Sequence, residues 1–171
     1  MKIINLVQGS NPWIQYRKSK VMASQVATIL GKNQHQTPYN LWQEVLGLIP
    51  PQEETSPMAH GKLIEPYARN QFCEETGIDM LAVVGESDEH EWLGASFDGY
   101  NVEKNCVLEI KSNGIKNHTI ALQGKVPESH MLQMQTQMFV SQAGFGFYES
   151  IDREKAIYTL RSLDLDDPNV I

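Results

Sequence analysis

Apolar positions recur at helical spacing in the first half of the chain, and the second half alternates between strand-like and helical segments. Ser10-Asn11-Pro12 reads as a helix start, a capping side chain followed by Pro in the first turn, with Trp13, Tyr16 and Arg17 on that helix. A break at Ser19-Lys20 precedes a second helix over Ala23–Leu30, closed by Gly31. Thr37-Pro38 opens a third, through Leu46, whose Leu41, Trp42, Val45 and Leu46 form a stripe expected to be buried. Leu48–Pro57 is an acidic, Pro-rich loop. The fourth helix carries Gly61, Glu65, Tyr67, Ala68, Phe72 and Cys73, with Pro66 in its first turn or at a kink, and ends at Gly77.

Strands come next at Leu81–Val84 and Trp92–Asp98. Polar Glu103-Lys104-Asn105 then separates Trp92–Val102 from Cys106–Ser112 as a hairpin turn would. The segment 112–126 reads as irregular, with Lys116 and Lys125 its local basic residues. Pro127 opens a helix to about Gln142, and Phe145–Ile151 with Ala156–Leu160 read as a final antiparallel pair before an acidic tail. This order predicts an α/β (α+β) domain with the hairpin at its centre.

The hairpin concentrates the chemistry. A turn centred on Glu103-Lys104 sets residues whose numbers sum to 207 opposite each other, so Asp98 faces Glu109 with Cβ atoms about 5 Å apart. Lys111 shares the face of Glu109 because side chains two apart point the same way. Two carboxylates suit a hard cation such as Mg²⁺, which keeps several waters, and the backbone carbonyl of Ile110 offers a further neutral oxygen. Lys111 would orient a water or offset charge in a phosphoryl transition state. This spacing alone is common, and it more often describes a solvated hairpin whose charges pair for under about 1 kcal/mol.

At 171 residues the chain fits one domain over 1–171, large enough to bury about 70% of its unfolded surface. No apolar run approaches the roughly 18 residues of a membrane span, and the first residues are too polar for a signal peptide, so a cytoplasmic protein is expected. Two cysteines, Cys73 and Cys106, cannot ligate a four-thiolate zinc or iron–sulfur site and read as small core residues. The net charge of −7 argues against a broad electrostatic footprint on DNA, though not against local basic residues beside a metal.

Three further groups are candidates. Ser24 sits at the start of the second helix, where free N–H groups favour an anion, and Arg17 could reach the same spot; a plain cap and a surface arginine are the commoner meaning. Glu65 lies one turn after Gly61 on the same face, where close backbone approach would turn the carboxylate inward. His130, Gln133 and Gln137 form a polar stripe, and amides can donate to and accept from phosphate or water.

Taken together, Gly61 and Glu65, Ser96-Phe97-Asp98-Gly99, Glu109-Ile110-Lys111 and His130–Gln135 resemble the PD-(D/E)XK nuclease superfamily. More closely, they resemble its lambda-exonuclease and YqaJ-type viral recombinase branch, whose opening motif is matched by Trp13, Arg17 and Ser24. The likeness covers about residues 9 to 150; each motif alone is weak, and five in order are specific. It implies a restriction-endonuclease-like core, a central mixed sheet flanked by helices. It implies that Asp98, Glu109 and the Ile110 carbonyl bind Mg²⁺ (Mn²⁺ substituting), that Lys111 positions the water, and that Glu65 completes the acidic cluster. Gln133 takes the place of the branch's glutamine near the active site, and Arg17, Ser24 and Ser96 form a pocket for the 5′-phosphate of a DNA end. The implied activity is a 5′-to-3′ exonuclease on double-stranded DNA ends in phage or prophage recombination, inside a bacterial host, without an iron–sulfur cluster. A single-strand annealing protein and a homotrimeric ring are the implied partners.

Two departures stand out: Phe97 replaces the proline before the family aspartate, and the chain stops soon after its last predicted strand, where relatives usually carry further helices. Polarity rests on Arg17 and Ser24 alone. A nicking or site-specific endonuclease of the same fold, or a non-catalytic DNA-end-binding module, therefore stand as the alternative readings.

Overall fold

The computed structural model describes residues 1–155. Its elements run β1 (Lys2–Ile4), α1 (Asn11–Lys18), β2 (Val21–Met22), a 3₁₀ turn at Ala23–Gln25, α2 (Val26–Ile29), α3 (Pro38–Val45), α4 (Ser56–Thr76), β3 (Leu81–Glu86), β4 (Leu93–Asn101), β5 (Cys106–Asn113), α5 (Ile115–Leu122), α6 (Glu128–Ser141) and β6 (Phe145–Asp152). The strands form one mixed sheet in the order β1-β3-β4-β5-β6, with the short β2 parallel to the start of β4. Neighbours pair antiparallel except β5 and β6, which run parallel over Cys106↔Phe145 to Asn113↔Asp152. A parallel pair needs a long crossover, and α5 and α6 supply it.

Alternate residues of β5 face opposite sides, and each side has its own core. Val107 packs with Ala95, Phe97, Tyr100 and Val140 of α6. Cys106, Leu108 and Ile110 pack with Ala68 of α4 and Met80. The central strands are thus sandwiched between α6 and α4, which explains the apolar run Cys106-Val107-Leu108 at the start of β5.

Most helix signals act as expected. Ser10 accepts the Trp13 N–H at 3.4 Å and Thr37 the Asn40 N–H at 3.1 Å as N-caps. Gly77 closes α4 at φ 66°, a left-handed conformation that costs glycine little.

Several expectations need correction. The second helix begins as a 3₁₀ turn behind an unforeseen strand, β2, because Val21 and Met22 extend the sheet first. α4 starts at Ser56, inside the expected loop, with Pro57 in its first turn, and it passes through Pro66. Only Leu41 of the α3 stripe is buried; Trp42, Val45 and Leu46 are exposed, since α3 docks mainly on α2 rather than on the sheet. The segment 112–126 is not irregular: β5 continues to Asn113 and α5 comes after it. That helix buries no residue, so it leaves no apolar stripe to detect. Phe145–Ile151 falls in β6, whose partner is β5; Ala156–Leu160 and the acidic tail lie outside the described residues.

Candidate active site

The hairpin register is the expected one at Gly99↔Leu108, Tyr100↔Val107 and Asn101↔Cys106, pairs that each sum to 207. Pairing then stops one residue short of Asp98. On the other side of β4, Val83↔Phe97 and Leu81↔Tyr100 show β4 advancing three residues while β3 advances two, so Asp98 lies in a β-bulge. Asp98 therefore does not sit in an unbroken ladder facing Glu109. The bulge re-aims its carboxylate, and Oδ2 accepts the Ile110 backbone N–H at 2.8 Å. A strand residue's N–H and C=O point to the same side, so the Ile110 carbonyl opens toward β4 as well.

Glu109 is completely buried. Its Oε1 sits against the Lys111 ammonium, and its Oε2 accepts Gln137 Nε2 from α6 at 2.6 Å. On the α4 side, Arg69 bridges the Glu65 carboxylate at 3.2 Å and the Asp98 backbone carbonyl. Glu65 thus reaches the cluster from α4 but is held by its own arginine one turn on.

Three carboxylates share one partly desolvated space. Burial, then Glu109, push the Asp98 carboxyl well above the usual range against the pull of Lys111. Glu65 is raised by burial, with Arg69 opposing. Burial alone would lower Lys111, but Glu109 and Asp98 outweigh it and hold the ammonium charged. Among the described residues no three His, Cys, Asp or Glu side chains stand close enough to hold an ion by themselves. What remains is two carboxylates and a main-chain oxygen with a surplus of negative charge. This set fits a hard, well-hydrated cation rather than zinc.

Beyond Lys111, Tyr148 of β6 hydrogen-bonds Asn113 Nδ2 at 2.9 Å and His130 Nδ1 at 2.7 Å. Burial and the nearby Lys111 charge push the His130 imidazole down to about 4, so it is neutral at pH 7. His130 is held by Tyr148.

The residues expected to take an anion are linked on the α1 side. Arg17 donates to Ser24 Oγ at 3.2 Å, its guanidinium lies 4.5 Å from the Trp13 ring centroid, and Trp13 Nε1 donates to Ser96 Oγ at 3.0 Å. Ser96 is two residues before Asp98, and its carbonyl accepts Gln137 Nε2 at 3.0 Å. A continuous line of contacts thus joins Arg17 to Glu109.

Asp98, Glu109 and Lys111 lie on β4 and β5, Glu65 is linked to the Asp98 main chain through Arg69, and Arg17 is linked to Ser24 and, through Trp13, to Ser96. The glutamine differs: Gln137, one turn beyond Gln133 on the same stripe, contacts Glu109, and Gln133 has no hydrogen bond to the cluster among the described residues. Trp13, Arg69 and Tyr148 were not singled out as site residues. Arg69 was detectable, since it stands four residues after Glu65 on one helix. Tyr148 was not, because only the parallel β5–β6 register places it beside Glu109.

A mixed sheet carrying an aspartate on one central strand and Glu-x-Lys on the next, with a glutamate on the flanking helix, defines the PD-(D/E)XK nuclease class. The chain belongs to the YqaJ-like viral recombinase domain family, whose profile matches residues 12–144. YqaJ of Bacillus subtilis (strain 168) is 26% identical over 134 residues, 77% of this chain and 42% of that protein, so the chain spans less than half of that relative's length. The crystal structure of LHK-Exo in complex with dAMP superposes with a TM-score of 0.70 at 26% identity, covering 85% of this chain and 75% of that one. The alkaline exonuclease LHK-Exo from Laribacter hongkongensis gives 0.69 at 24% identity over 91% and 89%. A phage-related exonuclease from Haemophilus somnus 129PT shares the fold at 0.53 and 19% identity, over 72% and 64%. No helix among the described residues is long and apolar enough to cross a membrane.

Proposed function

We propose that this chain is a Mg²⁺-dependent deoxyribonuclease that hydrolyses duplex DNA from its ends, 5′ to 3′. The observation that supports the reading is the contact line Arg17–Trp13–Ser96–Gln137–Glu109, which links the residues expected to take an anion to the carboxylates.

Asp98, Glu109 and the Ile110 carbonyl would hold the cation. When bound, Mg²⁺ acidifies water and polarises the scissile phosphate, and Mn²⁺ substitutes for it. Lys111, kept charged by Glu109, donates to the attacking oxygen or to the phosphate as charge develops. Arg69 holds Glu65 and the Asp98 main chain in place. Arg17 and Ser24 take a terminal 5′-phosphate by charge-assisted hydrogen bonds, which positions the next phosphodiester over the carboxylates and gives the direction of digestion.

The family likeness extends the proposal to phage or prophage recombination, with a single-strand annealing protein as partner and a homotrimeric ring as the assembly. The test is digestion of linear duplexes with 5′-phosphoryl or 5′-hydroxyl ends, with and without Mg²⁺, beside Lys111→Ala. Faster loss from phosphorylated 5′ ends, absent in the variant, is expected. Equal cutting of closed circles would replace the exonuclease by an endonuclease of the same fold. DNA-end binding without cleavage in Mg²⁺ or Mn²⁺ would leave a binding module.

A further inference from the structure

In the sheet order β4-β5-β6, three zones lie side by side. Ser96, which joins the Arg17 side through Trp13, is on β4, and Glu109 and Lys111 are on β5. The parallel register sets Tyr148 opposite Glu109 and Ser150 opposite Lys111, one strand spacing of about 4.8 Å further on. Tyr148 and Ser150 form one wall of a cavity of about 320 Å³, and His118, Leu122, Lys125 and Val126, from α5 and the chain after it, form the other. That volume is at the small end of ligand pockets, enough for about one nucleotide and not for a duplex.

The lining is unlike the rest of the chain. The net charge is −7, yet no Asp or Glu of the described residues lines this cavity, while Lys125 and His118 do. Lys125 makes no ion pair among the described residues. Ser150 Oγ accepts Asn113 Nδ2 at 2.8 Å and lies 3.0 Å from His118 Nδ1. The hydroxyl proton is satisfied when it goes to Nδ1, and the ring proton then sits on Nε2 as a donor left for a ligand. α5 adds no buried residue to the core, and its Leu122 is 75% exposed, so the apolar edge of the cavity is open to a partner.

We propose that this cavity holds the nucleotide on the 3′ side of the bond being cut, its phosphate taken by Lys125 and His118 and its sugar packed on Leu122 and Val126. This rests on the end-digesting nuclease reading. A strand anchored by its 5′-phosphate at Arg17 and cut at the carboxylates of β4 and β5 continues over β6. Successive nucleotides of one strand rise about 3.4 Å, so the first or second after the cut reaches Tyr148 and Ser150.

The test is binding of 5′-phosphorylated thymidylates of one and four nucleotides to the full chain, by competition against a labelled strand, with Ca²⁺ replacing Mg²⁺. The unaltered protein should bind the tetranucleotide more tightly than the mononucleotide. Lys125→Gln should weaken the tetranucleotide about three- to tenfold and leave the mononucleotide within about twofold. It should also reduce the salt slope of tetranucleotide binding by about 0.7, the share of one phosphate contact on a single strand. Lys104→Gln, which removes a charge from the β4–β5 turn, should change none of these. No gain from length, weakening of both lengths alike, an equal loss in Lys104→Gln, or an unchanged Lys125→Gln would overturn the subsite. The length-dependent loss without cleavage of linear duplex in Mg²⁺ or Mn²⁺ would instead overturn the nuclease reading and leave a strand-binding cavity.

Discussion

The Asp98 carboxylate accepts the Ile110 backbone N–H at 2.8 Å, in the gap where β4 and β5 have stopped pairing. One side chain thus replaces a ladder hydrogen bond and brings a carboxylate to the neighbouring strand's carbonyl. The arrangement is electrostatically costly without a cation, because the Glu109 and Glu65 carboxylates both oppose ionisation of Asp98.

Asp98→Asn should therefore stabilise the metal-free protein. The amide oxygen can still accept the Ile110 N–H, and the buried charge is gone; a gain of about 0.5–2 kcal/mol is expected at pH 7. Thermal melts with and without Mg²⁺ check it. The unaltered protein should gain stability on adding Mg²⁺, and the variant should not and should not cleave. A variant less stable than the parent would contradict this account of the site.

Lys111→Met leaves Glu109 buried beside no cation and should cost about 3–5 kcal/mol in urea unfolding. Adding Glu109→Gln to it should restore most of that stability and none of the activity. Additive losses in the double variant would show that the two residues do not act as a pair.

Trp13 holds Arg17 by its ring and Ser96 by its N–H. Trp13→Leu removes both, so the preference for 5′-phosphoryl over 5′-hydroxyl ends should fall about three- to tenfold. The rate on hydroxyl ends should change little. A proportional loss on both substrates would place Trp13 in the scaffold rather than in end recognition.

On β3, beside α1, Glu86 makes stability depend on pH. Its hydrogen bond from Lys20, with Nζ 2.7 Å away, holds the carboxyl below its ordinary value. The folded pKa lies below the unfolded one, so this stabilisation is full above the unfolded value, about 4.5, and fades as pH falls through the folded one. Lys20→Met should then cost roughly 1.5 kcal/mol at pH 7 and less at pH 3, read from denaturant midpoints. An equal loss at both pH values would mean Lys20 contributes packing instead.

On α3, Leu41→Ala should cost about 2–5 kcal/mol while Trp42→Gln changes stability by no more than about 0.5 kcal/mol. The measurement is denaturant unfolding of each variant. A large loss at Trp42 would restore the buried stripe that the helical spacing suggested.

Local signals determined much of this protein. Caps and a glycine set the starts of α1 and α3 and the end of α4, because a helix terminus is satisfied by residues within a few positions of it. The hairpin register came from its turn, and with it the placing of Asp98, Glu109 and Lys111, since strand side chains alternate with a period of two. Arg17 on α1 and Ser24 in the 3₁₀ turn are close along the chain, and the hydrogen bond between them is local. Only the tertiary structure decided the rest. The bulge at Asp98 comes from β3 pairing on the far side of β4, and the choice of Gln137 over Gln133 depends on how α6 lies across the sheet. The company of Tyr148 depends on β6 running parallel to β5. Each joins residues far apart in sequence, where no local propensity or spacing carries information. The burial of α3 failed for the complementary reason: an amphipathic stripe shows that a face is apolar, and its cover is settled by the packing of the whole chain.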